Sequence, residues 1–353
     1  MFIRNCWYVA AWTEELSAEF LTCTIINEPI VIYRKSDNSL VALEDRCAHR
    51  MSPLSLGKRE GDDIRCMYHG LVFSPSGNCI EIPGQDKIPA RLCVKSYPVV
   101  ERHSWIWVWM GDPELADEDL IPPAHGGGNN EWFLTHNHLD YETNYMLICD
   151  NLTDFSHLGY VHTQSFGSDE QWAQKAPTIT QLDRGIRMSR WLTSVPPIPP
   201  LGEAAKHEAV DHWASYDFLV PGVLIFYNAL YPVGTAAKAN NEPPTEALGT
   251  PLYTHYSIQA VTPKTDKTTR YLYSWGPSKR LGTEEESEIM RTILLQAFLE
   301  DQVIIEAQHK VIELDPTKTP VSIIADKGVI MFQRTVERLI QEENKLIPLA
   351  ATN

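Results

Sequence analysis

The sequence predicts a two-domain α+β protein. A β-rich N-terminal domain is expected over residues 1–120. A C-terminal domain over 121–353 is expected to pack an antiparallel sheet on long helices in a helix-grip-like arrangement. Three observations predict this. Residues 1–112 are short β-like runs punctuated by turns. The segment DPELADEDLIPPAHGGGNN (112–130) is acidic and rich in Pro, Gly and Asn, which marks a domain boundary. Near the C-terminus, EEESEIMRTILLQAFLEDQVIIEAQHKVIEL and KGVIMFQRTVERLIQEENK carry apolar residues at helical period. A chain of 353 residues is long enough for two cores.

In the first domain, TCTIINEPIVIYRK, NSLVALED and GLVFSPSGNCIEIPG read as strands. SWIWVWMGD alternates Trp105, Trp107 and Trp109 with Ile106, Val108 and Met110, as a strand buried on both faces would. Core packing is the expected use of those tryptophans, ahead of an aromatic ligand box. In the second domain, NYMLICDNLTDFSHL has helical spacing. GIRMSRWLTSV, GVLIFYNALYPV, LYTHYSIQAVTP and TRYLYSWGP read as antiparallel strands. VPPIPPLGEAAKHEA and AAKANNEPPTEALGTP read as loops between them.

A formal charge of −16 disfavours nucleic acid and anionic membrane surfaces, which call for clustered Lys and Arg. The opening MFIRNCWYVAAWTEEL lacks the apolar core of a signal peptide. No apolar run approaches the roughly 18–20 residues of a membrane span. Seven scattered cysteines make a poor disulfide framework. A soluble, cytoplasmic protein with no membrane partner is expected. No GxGxxG opens a βαβ unit, so the chain itself is not expected to bind NAD or FAD.

Two clusters carry chemistry. In RCAHR and RCMYHG, Cys47-x-His49 is followed by Cys66-x-x-His69. Each loop donates one sulfur and one nitrogen. Structural zinc is the alternative, but zinc ribbons favour CxxC knuckles. The mixed pairing suits a Rieske [2Fe–2S] cluster, with both thiolates on one iron and both imidazoles on the other. Gly57, Gly70 and Gly77 are placed to supply left-handed turns around the loops.

The second cluster is DNLTDFSHLGYVH (150–162). His157 and His162 are five apart, about 140° around an ideal helix, so the helix must break between them for both to reach one metal. Gly159 is placed to permit the break. Two histidines and a carboxylate make the facial triad of a mononuclear Fe(II) site with positions open for O2 and substrate. Spacing alone does not choose the carboxylate. Asp154 is near in sequence and can instead orient a ligand histidine. Glu300, Asp301 and Glu306 on the long C-terminal helix are remote candidates.

Together the two clusters resemble the oxygenase components of Rieske non-haem iron oxygenases, in the group of vanillate and dicamba O-demethylases and toluenesulfonate methyl-monooxygenase. NCWYVAAWTEEL, EDRCAHRMSPLSLG, CMYHGLVF, WIWVWMGDPELAD, CDNLTDFSHLGYVH and FLEDQVIIEAQ carry the resemblance. It implies that Cys47, His49, Cys66 and His69 hold the cluster and that His157, His162 and Asp301 hold the iron. It also implies a head-to-tail homotrimer, with Asp154 bridging His157 to the His69 position of a neighbouring subunit and Asn151 as a distant contact of the iron. Electrons would come from NAD(P)H only through a partner reductase or ferredoxin. The implied reaction is monooxygenation of a small aromatic substrate, expected to be acidic, by O-demethylation or methyl hydroxylation.

Residues 165–260, the expected pocket, resemble the family least. Asn228, Gln259 and Thr292 are the equivalents chosen for substrate contacts. Arg187 and Arg190 could meet an anion, although surface solvation is the expectation for both. Two other classes compete: a Rieske electron carrier fused to a ligand-binding domain without oxygenase activity, and a zinc-stabilised binding module.

Overall fold

A computed structural model of the protein describes residues 2–17, 19–125, 131–166, 170–197 and 201–346. The Gly/Asn run of the boundary segment (126–130) and residues 198–200 of the proline-rich loop lie outside the described residues. The chain forms two compact units. One comprises residues 1–121 with 262–266, the other 122–261 with 267–353.

The first unit holds eleven strands among the described residues, in three antiparallel sheets. β1 (Trp7–Trp12), β11 (Trp105–Trp109) and β10 (Val99–Arg102) form one, with β11 in the middle. Every residue of β11 is buried, and its rings pack on those of β1: Trp7 against Trp109 at 5.5 Å, Trp12 against Trp105 at 5.1 Å. The tryptophans are therefore core, each stabilising the unit by roughly 1.5–3 kcal/mol or more through burial. The second sheet is β2 (Leu21–Ile25), β3 (Glu28–Arg34), β4 (Leu40–Glu44) and β9 (Ser96–Tyr97). The third, smaller sheet is β5 (Lys58–Glu60), β6 (Asp63–Arg65), β7 (Val72–Phe73) and β8 (Cys79–Glu81), and it carries the two Cys/His loops.

Residues 262–266, distant in sequence, complete this unit. The turn at Ile26 and Asn27 donates its backbone N–H groups to the carbonyls of Pro263 and Lys264, both at 2.9 Å. Thr262 Oγ1 donates to the Val9 carbonyl at 2.7 Å.

The second unit is built on a seven-stranded antiparallel sheet. Its strands are β12 (Thr135–Tyr141), β13 (Thr178–Leu182), β14 (Gly185–Val195), β15 (Val210–Leu219), β16 (Val223–Pro232), β17 (Tyr253–Pro263) and β18 (Thr269–Pro277). They lie in the order β12-β18-β17-β16-β15-β14-β13. Helix α1 (Tyr145–Thr153) and the single turns α2 (Leu158–Val161), α3 (Gln171–Gln174) and α4 (Thr235–Lys238) precede two long helices, α5 (Glu284–Leu314) and α6 (Lys327–Leu346). α5 packs on β18 and β12, and α6 on β14 and α1.

α5 starts where a capping box places it: Thr283 Oγ1 accepts from Glu286 N, and Glu286 Oε2 accepts from Thr283 N. Met290, Leu294, Ala297, Phe298, Asp301 and Ile305 form its buried face, at the three- and four-residue spacing that faces a sheet.

β18 can take this position because residue 276 is glycine. A Cβ there would lie 1.7 Å from the Phe133 carbonyl oxygen. Gly276→Ala is expected to cost about 3 kcal/mol, the upper end of the overpacking range, read as a lower urea midpoint.

Candidate functional site

The first unit presents two loops of the same design. Cys47 N donates to Ser52 O and Met51 N donates to Cys47 O. Likewise, Cys66 N donates to Leu71 O and Gly70 N to Cys66 O. The residue four after each cysteine is left-handed, Met51 at φ 58° and Gly70 at φ 77°. Gly77 has the left-handed φ expected of it, but Gly57 does not. Its φ is −86°, and it is glycine because a Cβ would lie 2.4 Å from the Arg65 carbonyl oxygen. Arg65 braces the second loop: Nη1 donates to Gly70 O at 2.7 Å, while the guanidinium also pairs with Glu60 and Glu81.

The four side chains meet as like pairs. The buried thiols of Cys47 and Cys66 touch each other, and burial, reinforced by that contact, pushes the Cys47 thiol up. The His49 and His69 rings lie 4.6 Å apart on the exposed side. One tetrahedral zinc, with donors at about 2.0–2.3 Å, would draw all four to within about 4 Å of each other. Among the described residues, only His157, His162 and Asp301 gather three ligand atoms within 4.8 Å of one another. A sulfur pair beside a nitrogen pair fits a binuclear cluster.

The second unit holds that convergent group, with ligand atoms within 4.8 Å of one another. α1, capped by Asn144, stops at Thr153 because Asp154 turns extended (φ −136°, ψ 98°). The Asp154 carboxylate then caps the next turn, Oδ1 accepting from Ser156 N at 2.9 Å and Oδ2 from Ser156 Oγ at 3.0 Å. The break therefore falls before His157. Gly159 sits inside the α2 turn, not at the break expected there.

His157 Nδ1 donates to the Asp154 backbone carbonyl at 2.7 Å, so the main chain and not the carboxylate orients this ring. His162 Nδ1 donates to Glu300 Oε2 at 3.0 Å, and Ser165 Oγ donates to the same oxygen at 2.7 Å. Both rings thereby turn a bare Nε2 inward, 3.6 and 3.3 Å from the Asp301 carboxylate oxygens. Asn151 Nδ2 donates to Asp301 Oδ1 at 3.2 Å.

Three acceptors facing each other in a buried site call for a cation. His162 lies nearer the Asp301 carboxylate than His157 does. Burial works against its charge, but Asp301 and Glu300 outweigh it and the pKa is raised. Burial lowers that of His157. Glu306 is elsewhere, accepting from Glu142 N and Gln302.

This group opens into a cavity walled by Phe155, Trp172, Phe226, Trp275 and Phe298. A polar wall comes from one face of three adjacent strands: His212 of β15, Asn228 of β16, and His255, Ser257 and Gln259 of β17. His212 Nε2 donates to Asn228 Oδ1 at 2.5 Å. That leaves Asn228 Nδ2, like His255 Nδ1, buried without a partner. Gln259 is engaged on both ends, by Tyr271 OH and Ser257 Oγ.

Asn228 and Gln259 therefore line the cavity as chosen. Thr292 does not. It is exposed, two residues from Met290 and from Leu294 and so about 200° away from the buried face of α5. Arg190 is buried, contrary to expectation, whereas Arg187 is exposed and paired with Asp217. Sequence reasoning missed His212 and His255, and named Glu300 as a candidate ligand rather than as the carboxylate behind His162. Alternation in VDHWASYDFL was the available signal for the first, and its acids masked it.

The family model described as "Vanillate O-demethylase oxygenase C-terminal domain" matches residues 141–342, and "Rieske [2Fe-2S] domain" matches 6–98. The chain belongs to the Rieske oxygenase components of the vanillate O-demethylase group. This Rieske oxygenase is 40% identical over 349 residues to the toluene-4-sulfonate monooxygenase system iron-sulfur subunit of Comamonas testosteroni, covering 98% of this chain and 99% of that one. It is 32% identical to the oxygenase component of dicamba O-demethylase from Stenotrophomonas maltophilia, covering 97% and 99%. The crystal structure of dicamba monooxygenase bound to dicamba superposes with a TM-score of 0.84 at 30% identity, covering 98% and 99%.

The Rieske oxygenase is thus an oxidoreductase, a terminal oxygenase whose cofactors are a [2Fe–2S] cluster and non-haem iron. Because the likeness runs through the catalytic domain, the readings as a bare electron carrier and as a zinc module are set aside. No helix among the described residues is long and apolar enough to cross a membrane.

Proposed function

We propose that this oxygenase monooxygenates a small aromatic acid at a methyl or methoxy group. The carrying observation is the cavity itself. A two-histidine, one-carboxylate group stands at one end, aromatic side chains form the walls, and the unpaired Asn228 amide nitrogen and His255 ring nitrogen stand on the sheet. Relatives named for toluene-4-sulfonate and vanillate support an aryl anion.

In this reading Cys47, His49, Cys66 and His69 hold the cluster, and His157, His162 and Asp301 hold Fe(II). The metals, when bound, supply O2 activation and single-electron delivery. The protein's own part is positional. The Asp154 carbonyl and Glu300 fix the ligand imidazoles, and the aromatic walls keep bulk water out. Asn228 and His255 take the substrate's polar group, so that its methyl end points toward the acceptor cluster. A hydroxylated methoxy carbon collapses to formaldehyde and a phenol, whereas a hydroxylated aryl methyl stays as the alcohol.

A reductase or ferredoxin would deliver electrons from NAD(P)H. In the homotrimer that the resemblance implies, Asp154 would face His69 of a neighbour, with Asn151 near the iron. Sedimentation equilibrium reads the assembly; a monomer would remove the inter-subunit role of Asp154.

The activity test is a panel of methoxybenzoates and toluenesulfonates with holoenzyme, reductase and NADH, followed by formaldehyde and product analysis. NADH-dependent product from an aryl acid supports the reading; oxidation confined to neutral aromatics overturns it. Glu300→Gln is expected to weaken Fe(II) binding by about 10–100-fold, the usual effect of losing a carboxylate behind a ligand histidine. Metal titration of the apo site checks this. An unchanged affinity would mean that Glu300 only packs.

A further inference from the structure

The polar wall has no cation of its own. Among the described residues no Lys or Arg lines the cavity, and the one carboxylate that does, Asp301, stands with His157 and His162. An anion entering this space loses its water, which is costly where the wall that receives it offers no charged partner. Arg190 does not serve. Its Nη1 donates to the carbonyls of Trp172 and Lys175, its Nη2 to Tyr216 OH, and its guanidinium stacks 5.0 Å from the Trp172 ring, which itself lines the cavity.

His212 is differently placed. Its Nε2–H is fixed on Asn228 Oδ1, so the neutral ring carries its lone pair on Nδ1, where a proton can be accepted. Protonation there would strengthen the Nε2–H···Oδ1 bond and polarise the amide, whose Nδ2–H is the unpaired donor.

We propose that His212 is the charge-compensating residue of the substrate pocket, taking one proton from solvent as an aromatic acid binds. The inference rests on the acid-substrate reading above. The groups facing His212 are Arg190 from β14, Asn228 from β16, His255 from β17 and Trp172 from α3. Burial, with Arg190 adding to it, holds the free imidazole neutral with a pKa of about 4, and burial likewise holds His255 neutral. A substrate anion at the Asn228 amide reverses the balance for His212. Binding and protonation are then linked, and affinity falls as pH rises through the range between the free and bound pKa values.

Calorimetric titration of the holoprotein with toluene-4-sulfonate, in buffers of different ionisation enthalpy, counts the protons. Near pH 7, about one proton should enter per sulfonate bound, and Kd should rise about tenfold per pH unit. The uncharged toluene-4-sulfonamide should take up none. His212→Gln, with His212→Asn as a second variant, should abolish the uptake and flatten the pH dependence. Sulfonate binding without proton uptake in the unmodified protein overturns the proposal, as does undiminished uptake in a folded His212 variant. If no arylsulfonate or benzoate binds a protein with both metal centres loaded, the acid-substrate reading itself falls, and the proposal with it.

Discussion

Asp301→Ala is expected to leave a brown protein that no longer oxidises substrate. The iron content should fall from about three per chain to about two, with acid-labile sulfide unchanged at about two, because only the mononuclear site is lost. The physical reason lies in the geometry. Among the described residues Asp301 is the one anion facing His157 Nε2 and His162 Nε2, at 3.6 and 3.3 Å. Without it, two neutral imidazoles remain as a weak pair for a divalent ion. The variant should keep its fold, since alanine fits a helix and, among the described residues, the carboxylate's close polar partners are Asn151 at 3.2 Å and the two histidines. Iron and sulfide assays, with the Rieske spectrum as control, decide the matter. Substantial turnover at two irons per chain would remove Asp301 from the ligand set.

Cys66→Ser should have the complementary effect and a larger structural one. Iron should fall to about one per chain, the Rieske spectrum should vanish, and NADH-driven turnover should stop. Cys66 is 1% exposed and begins one of the paired loops. A hydroxyl in its place is a poor ligand for a thiolate site and sits buried against Cys47. The first unit should therefore also unfold at lower denaturant, whereas Asp301→Ala leaves that transition in place. A Cys66→Ser protein that retained sulfide would disprove the pairing of the two thiols on one iron.

The legible parts of the protein were those written in local spacing. Cys47, His49, Cys66 and His69 fall in two short loops. The span of α5 was readable from its long apolar period, and the capping box of Thr283 and Glu286 sets its start. The strand β11 was readable from its alternation. What stayed hidden depends on how distant elements rotate against each other. Glu300 and Asp301 are neighbours on α5, and only the helix's rotation makes one face the Nδ1 and the other the Nε2 of His162.

β15 was not among the strands read from the sequence, and Asp211 and Asp217 interrupt its apolar alternation. Asp211 is in fact buried, accepting from the backbone of Ser194, Gly234 and Ala236. Arg190 looked like a solvated cation. Its burial is tolerated because the carbonyls of Trp172 and Lys175, on a turn distant in sequence, accept from its guanidinium.

The turn that joins β17 to β18 belongs to the first unit by its hydrogen bonds, although the sequence around it belongs to the second. The electron-transfer module is therefore not a contiguous stretch of gene. A fragment cut at the linker would leave the amides of Ile26 and Asn27 without the acceptors supplied by Pro263 and Lys264. A chimera that exchanges only residues 1–121 between relatives would mismatch the same contacts. Recombination among such oxygenases is constrained to carry two separated segments together, or to keep the five residues 262–266 compatible with both parents.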